Sequence, residues 1–448
     1  MPDFSNLSLS ALITPHGYAC PCGRRHAAGI EFLCIEPGAV RQLPAALARL
    51  GVRRPFVVCD SHSEAAAWEP VRSTLEKVGL SWNLFCFSEE HLEPDEDAVG
   101  SLTLAFDSSC DCILGVGSGV INDCCKVLAH VSGKKQLIVA TAPSMDGYAS
   151  NSSAMIRDRV KVTIYNAPPA AILCDTDILR NAPMRMLQAG LGDMLAKYVS
   201  ICEWRISHLV TGEYFCENVA GMMREALQRV AAHAEGLKER EEASVRAVAE
   251  GLVISGIASS YAGMSRPASG LEHCFSHIWE MKCLDRGRPF ELHGIQVGIG
   301  TLIVLKLYDR IRSMTPDRTV AEAFITHFTN EEWEALMRRI FGRAADTVIH
   351  QEHCVFHKND PAGHAARLDR LIRHWNEIQA IIDEELPPAA SIADLMRKLS
   401  MPMKPEDIQI TRQDTEDAFL GSREIRSRYM TSSMLWDLGL LYRIALPE

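Results

Sequence analysis

The chain has 448 residues, 47% of them hydrophobic and 23% charged, with a formal net charge of −11. That length exceeds what one hydrophobic core comfortably serves, so two domains are expected. The acidic balance argues against a nucleic-acid partner, whose phosphates call for a basic face.

No apolar run is long enough to span a bilayer, and no N-terminal stretch reads as a secretory signal. The fifteen cysteines are scattered rather than spaced as a framework, and Cys59, Cys86, Cys112 and Cys174 lie inside apolar runs as small hydrophobes. A reducing, cytoplasmic setting is therefore the expectation. Cys20-Pro-Cys22-Gly-Arg-Arg-His26 has the density of a metal motif. No second pair follows at zinc-ribbon spacing, so a closed four-ligand site reads as incomplete here. A structural role is expected for this cluster, with a small metal or redox site as the alternative.

From residue 30 the pattern alternates. Glu31–Ile35 reads as a strand, 40–50 as a helix with Val40, Leu43, Leu47 and Leu50 on one face, and Pro55–Asp60 as a buried strand. A helix over 64–78 and strands at Trp82–Phe87, Asp111–Gly115 and Gln136–Ala140 continue the series. Strands alternating with helices predict a parallel sheet covered on both faces. Residues 160–165 and 170–175 read as two further strands, paired as a hairpin across Asn166–Pro169. Beyond about residue 178 the signals are almost wholly helical, over 184–200, 214–234, 240–262, 269–284, 291–310 and onward. The domain expectation is thus 1–178 for the mixed α/β part and 179–448 for a helical part.

Two loops leave the carboxyl edge of the predicted sheet. One is Gly115-Val116-Gly117-Ser118-Gly119-Val120-Ile121-Asn122-Asp123, read as a glycine turn before a helix over Cys124–His130. Glycines let the backbone approach a pyrophosphate, and a helix start offers N–H groups and a positive dipole end. A plain tight turn is the competing reading. The other runs Thr141-Ala142-Pro143-Ser144-Met145-Asp146-Gly147-Tyr148-Ala149-Ser150-Asn151, rich in hydroxyls with one acid. Asp60, at another strand end, is placed to meet a ribose hydroxyl or simply to cap a helix.

The helical half opens on Gly190-Leu191-Gly192-Asp193, an acid among apolar residues that calls for a partner. Later come His273, His277 one helical turn beyond it, and His293. Asp193, His273 and His293 offer one oxygen and two nitrogens, the donor set of a catalytic divalent site with open positions.

TAPSMDGYAS, GLGDMLAKY, SRPASGLEHCFSH and HGIQVGIGT, in this order within a match that covers roughly residues 30–310, resemble the sn-glycerol-1-phosphate dehydrogenases. These belong to the superfamily of iron-containing alcohol dehydrogenases, glycerol dehydrogenases and dehydroquinate synthase. The resemblance implies a Rossmann-like α/β nucleotide domain followed by an all-α helical domain, the dehydroquinate synthase-like fold. It implies NAD(P)H and one divalent ion, zinc or nickel with iron as a further option, bound by Asp193, His273 and His293. Asp146, Asp193 and His277 correspond to catalytic and substrate positions. Gly117, Ser118, Gly119, Val120, Ile121, Asn122, Asp123, Thr141, Ala142, Pro143, Ser144 and Ser150 correspond to dinucleotide contacts.

The implied reaction is reversible reduction of dihydroxyacetone phosphate to sn-glycerol 1-phosphate, and the implied assembly a homo-oligomer. Arg266 and Lys197 are the cations considered for the phosphate. A glycerol dehydrogenase, a dehydroquinate-synthase-like cyclase and a non-catalytic binding module of the same fold are the alternatives.

Overall fold

A computed structural model describes residue 4 and residues 7–158 and 160–447. A short helix α1 (Leu9–Leu12) precedes a two-stranded antiparallel ribbon, β1 (Tyr18–Ala19) and β2 (Arg25–His26). Then follow β3 (Phe32–Glu36), α2 (Leu43–Leu50), β4 (Pro55–Asp60), α3 (Ser61–Ser63), α4 (Glu69–Lys77), β5 (Asn83–Phe87) and α5 (Glu96–Ala105). The series continues with β6 (Cys112–Gly117), α6 (Gly119–Ser132), β7 (Lys135–Ala140), β8 (Ser152–Arg157), β9 (Val160–Tyr165) and β10 (Ala171–Asp175).

Six of these strands form one parallel sheet in the order β3-β10-β7-β6-β4-β5. Period-2 alternation assigns its faces. Val57 and Cys59 of β4 join Leu114, Val116, Leu137 and Val139 under α2 and α4, whereas Phe56 and Val58 join Ile113 beneath α5 and α6. Fully burying each such aliphatic side chain stabilises the fold by roughly 1.5–3 kcal/mol. The direction of winding reverses between β4 and β6, and ligands of such sheets sit at the carboxyl ends beside that reversal.

The hairpin expected across Asn166–Pro169 does not form. β9 pairs antiparallel with β8, in a ribbon of its own, while β10 enters the parallel sheet between β3 and β7. Burial explains the difference: every residue of β10 is buried, which suits a strand with neighbours on both edges, while β9 is largely half-exposed. The helix after the glycine turn also begins earlier than expected, at Gly119 rather than Cys124.

After β10 the described residues are helical: α7 (Thr176–Leu179), α8 (Met184–Leu195), α9 (Lys197–Thr211), α10 (Glu217–His233), α11 (Glu242–Ala262), α12 (Leu271–Asp285) and α13 (His293–Ile311). They continue from α14 (Arg318–His327) to α21 (Thr431–Asp437), and none of the described helices is long and apolar enough to cross a membrane. The change from mixed to helical structure falls at Asp175, but compactness divides the chain differently. One unit is Met1–Met194 with Cys216–Ala268, the other Leu195–Phe215 with Ser269–Glu448. Helices α10 and α11 thus belong with the sheet.

Two helical glycines set how the loop after β7 is held. A Cβ on Gly190 would lie 1.9 Å from the Pro143 carbonyl oxygen, and one on Gly256 would lie 2.7 Å from the carbonyl carbon of Ala149. Neither backbone could approach so closely with any other residue. Gly256→Ala is therefore expected to destabilise the protein by about 1–3 kcal/mol, measured as a lowered midpoint in urea at unchanged slope.

Candidate functional site

In the sheet unit, Gly117 ends β6 and Gly119 opens α6. Gly117 lies against Ile121, whose side chain a Cβ would meet at 2.6 Å. Ser118 is the N-cap of α6 and makes no capping bond from its side chain. The first-turn N–H groups have no side-chain cap, the arrangement that suits an anion. Thr141 N–H donates to the Gly117 carbonyl at 3.1 Å, tying the β7 loop to the glycine turn.

Several polar residues of these loops are engaged within the chain. Asn122 is fully buried; its amide donates to the Gly147 carbonyl at 3.1 Å and accepts from Gln136 at 3.1 Å. Lys126, also buried, donates to Gly147 O at 3.0 Å and Ser150 Oγ at 3.2 Å, to the Ser152 carbonyl, and pairs with Asp123 at 2.9 Å. Ser150 Oγ is also 2.9 Å from the Ser152 carbonyl. These side chains brace the 147–152 turn. Asp60 caps α3, accepting from Ser63 N–H at 2.7 Å while Ser63 Oγ accepts from Asp60 N–H at 2.9 Å. Ala142, Pro143 and Ser144 are buried, and Tyr148 Oη donates to Ala142 O at 2.7 Å.

Asp193 lies near the end of α8 and is fully buried. Its carboxylate accepts the Asp146 main-chain N–H at 2.9 Å, and the Asp146 carboxylate accepts from Ser255 Oγ of α11 at 2.8 Å. The two acids named from sequence are therefore hydrogen-bonded neighbours. Ser255 is an orienting residue that sequence reading missed, since a serine within an alanine-rich helix carries no signal of its own.

The helical unit brings three histidines together. His273 and His277 share one face of α12, and His293 is the first residue of α13. The His273 and His293 ring centroids are 5.2 Å apart, and His277 stacks on His293 at 5.6 Å with 23° between planes. His273 Nδ1 donates to Glu272 Oε1 at 2.9 Å, and that oxygen also accepts from Gly270 N–H at 2.7 Å. His293 Nδ1 lies 2.9 Å from Ser276 Oγ, which donates to Glu280 at 3.3 Å. With both Nδ1 atoms so engaged, Nε2 is the nitrogen each ring can offer a cation.

His277, Glu280 and His293 also present ligand atoms within 4.8 Å of one another. Glu280 is fully buried and is approached by Ser276 and Gln296, as a carboxylate that orients a histidine would be. Glu272, Ser276 and Glu280 were not singled out from the sequence. Their signal was helical spacing, because 276 and 280 fall on the face shared by 273 and 277. The phosphate candidates Lys197 and Arg266 are both deeply buried, Lys197 in the helical unit and Arg266 in the sheet unit.

Residues 34–183 match the model of the iron-containing alcohol dehydrogenase family. The fold is shared with a probable glycerol dehydrogenase from Sinorhizobium meliloti 1021, at a TM-score of 0.58 and 17% identity over 92% of this chain and 96% of that one. A glycerol-1-phosphate dehydrogenase (NAD(P)+) of Bacillus licheniformis is 26% identical over 94% of this chain and 93% of the relative. The glycerol-1-phosphate dehydrogenase (NAD(P)+) of Halalkalibacterium halodurans is 35% identical over 293 residues, 64% of this chain and 73% of its own. Identity of that degree over that span carries more than the fold: the chain belongs to the glycerol-1-phosphate dehydrogenase family.

Proposed function

We propose that the protein catalyses reversible reduction of dihydroxyacetone phosphate by NAD(P)H, giving sn-glycerol 1-phosphate, with one divalent cation held by Asp193, His273 and His293. The observation that carries this reading is the pair of imidazoles whose Nδ1 atoms are already engaged by Glu272 and Ser276. That arrangement fits a cation: it holds each ring in one tautomer and orientation. One carboxylate and two imidazoles suit zinc, nickel or iron.

When bound, the cation supplies Lewis-acid stabilisation of charge on the substrate oxygen, and the dihydronicotinamide supplies the hydride. The chain's own residues select and orient. Asp146, fixed through its N–H by Asp193 and through its carboxylate by Ser255, accepts a substrate hydroxyl and so decides which carbonyl face meets the cofactor. His277, half-buried and stacked on His293, delivers the proton that the reduced oxygen takes up. The buried cations Arg266 and Lys197 are the residues proposed for the phosphate. The main chain of 117–121 and 141–144, at the carboxyl ends of β6 and β7, receives the pyrophosphate, with Asp60 proposed for a ribose hydroxyl.

NAD(P)H oxidation should therefore proceed with dihydroxyacetone phosphate and yield the sn-1 phosphate on chiral analysis. Stripping the protein with a chelator should abolish it, with recovery on adding zinc or nickel. A preference for unphosphorylated dihydroxyacetone, or full turnover without metal, would overturn the reading. The two histidines of α12 should separate in their effects. His273→Ala is expected to lower bound metal by one equivalent per chain, while His277→Ala keeps the metal and lowers kcat by about 10²–10⁴-fold. Glu280→Gln, which acts through His293, should weaken metal affinity by roughly 10–100-fold in a competition titration and leave the fold intact.

A further inference from the structure

The cysteine-rich motif at the N-terminus acquires a fourth member in the folded chain. Cys20 and Cys22 lie in the turn between β1 and β2, closed by Cys20 N–H to Arg24 O and Gly23 N–H to Cys20 O, both at 3.0 Å, with Gly23 at φ 85°. His26 ends β2, and Cys216 stands at the N-cap of α10, remote in sequence. All four belong to the same compact unit. Cys20 Sγ is 3.6 Å from Cys216 Sγ, Cys22 Sγ is 3.3 Å from His26 Nε2, and Cys216 Sγ is 3.6 Å from the same nitrogen. The four ligand atoms lie within 4.8 Å of one another.

Those three spacings are close to three of the six edges of a tetrahedral site. Zinc–sulfur bonds of about 2.3 Å and a zinc–nitrogen bond of about 2.0 Å place sulfurs about 3.8 Å apart and sulfur about 3.5 Å from nitrogen. The surroundings favour a cation independently of the distances. His26 is fully buried, and its Nδ1 donates to the Tyr261 carbonyl at 2.7 Å. That bond assigns the proton to Nδ1 and turns the Nε2 lone pair toward the three sulfurs. Asn218 Nδ2 donates to Cys20 Sγ at 3.3 Å, and the start of α10 presents the positive end of a helix to Cys216. Phe4 and Tyr261 wall in the imidazole, Tyr261 stacking on it at 5.4 Å.

We propose that Cys20, Cys22, His26 and Cys216 form a closed structural site for a zinc-type cation, separate from the Asp193–His273–His293 set. Four protein ligands leave no open position for substrate, so its role is to fasten the N-terminal ribbon to α10 and to the end of α11. Arg24 and Tyr261 make the same junction by hydrogen bonds, Arg24 to Ala262 O at 2.8 Å and Tyr261 Oη to Leu12 O at 2.5 Å. Helix α11 also carries Ser255 and Ser260, which bond Asp146 and Ala149, so the clasp steadies the far support of the substrate loop.

The test is a metal count on the full chain, purified without added chelator. A mercurial reagent, which displaces metal from thiolates only, should release one equivalent of zinc per chain to a chromogenic indicator. Protein grown on cobalt should show a thiolate-to-cobalt charge-transfer band in the near ultraviolet, which an oxygen–nitrogen site cannot produce. Cys216→Ser should lose that equivalent and that band while retaining the metal that depends on His273, and should unfold at a lower temperature. His26→Cys, which keeps four ligands, should retain both. If Cys216→Ser fails to fold, the cobalt spectrum of the unaltered chain decides alone. Absence of the band and of mercurial-released zinc, or a Cys20–Cys216 disulfide seen as the loss of two hydrogens in the intact mass, would overturn the proposal.

Discussion

The hydrogen bond from the Asp146 main chain to the Asp193 carboxylate is the constraint on which the catalytic reading turns. A buried carboxylate without a partner is costly, and this one is approached by an N–H from the loop that carries the proposed substrate residue. The loop, in turn, is held from several directions at once. α8 reaches it through Gly190, α11 through Gly256 and Ser255, and α6 through Asn122 and Lys126. A loop so over-determined can hold its acid at a fixed position although the acid sits at the start of only a single 3₁₀ turn, Asp146–Ala149.

The same logic recurs around the histidines. His273 and His293 each have Nδ1 occupied by a neighbour, and each neighbour is itself secured: Glu272 by Gly270 N–H, Ser276 by Glu280. Close backbone packing assists, since a Cβ on Gly300 of α13 would lie 2.7 Å from the carbonyl oxygen of Glu272 in α12. Gly300 of HGIQVGIGT is thereby given a physical reason. It lets the backbones of α13 and α12 pack closely beneath His293 and His273.

Legibility in the sequence followed burial. The strands at 55–60, 111–115 and 136–140 were readable because parallel strands covered on both faces must be continuously apolar. The strand at 152–157 was not, because it begins with Ser152 and Ser153 and belongs to a ribbon outside the main sheet. Pairing was harder than existence. β9 and β10 are neighbours in sequence across a proline turn, and nothing local says that one joins the six-stranded sheet and the other turns back on β8. The start of α6 was hidden for a related reason, since Gly119 reads as turn until the helix it opens is seen.

What the sequence determined by itself was the chemistry on offer: which imidazoles, carboxylates and thiols exist, and which recur at helical spacing in a family-like order. Tertiary structure decided which of them meet and what holds them. Ser255 beside Asp146, Ser276 and Glu280 behind His293, and Cys216 beside Cys20 and His26 are all products of packing between separate segments. The physical reason is that a hydrogen bond or a ligand set is specified by distance in space. Local pattern reports only the periodicity of one element, so the His273–His277 face was legible and the partners that orient it were not.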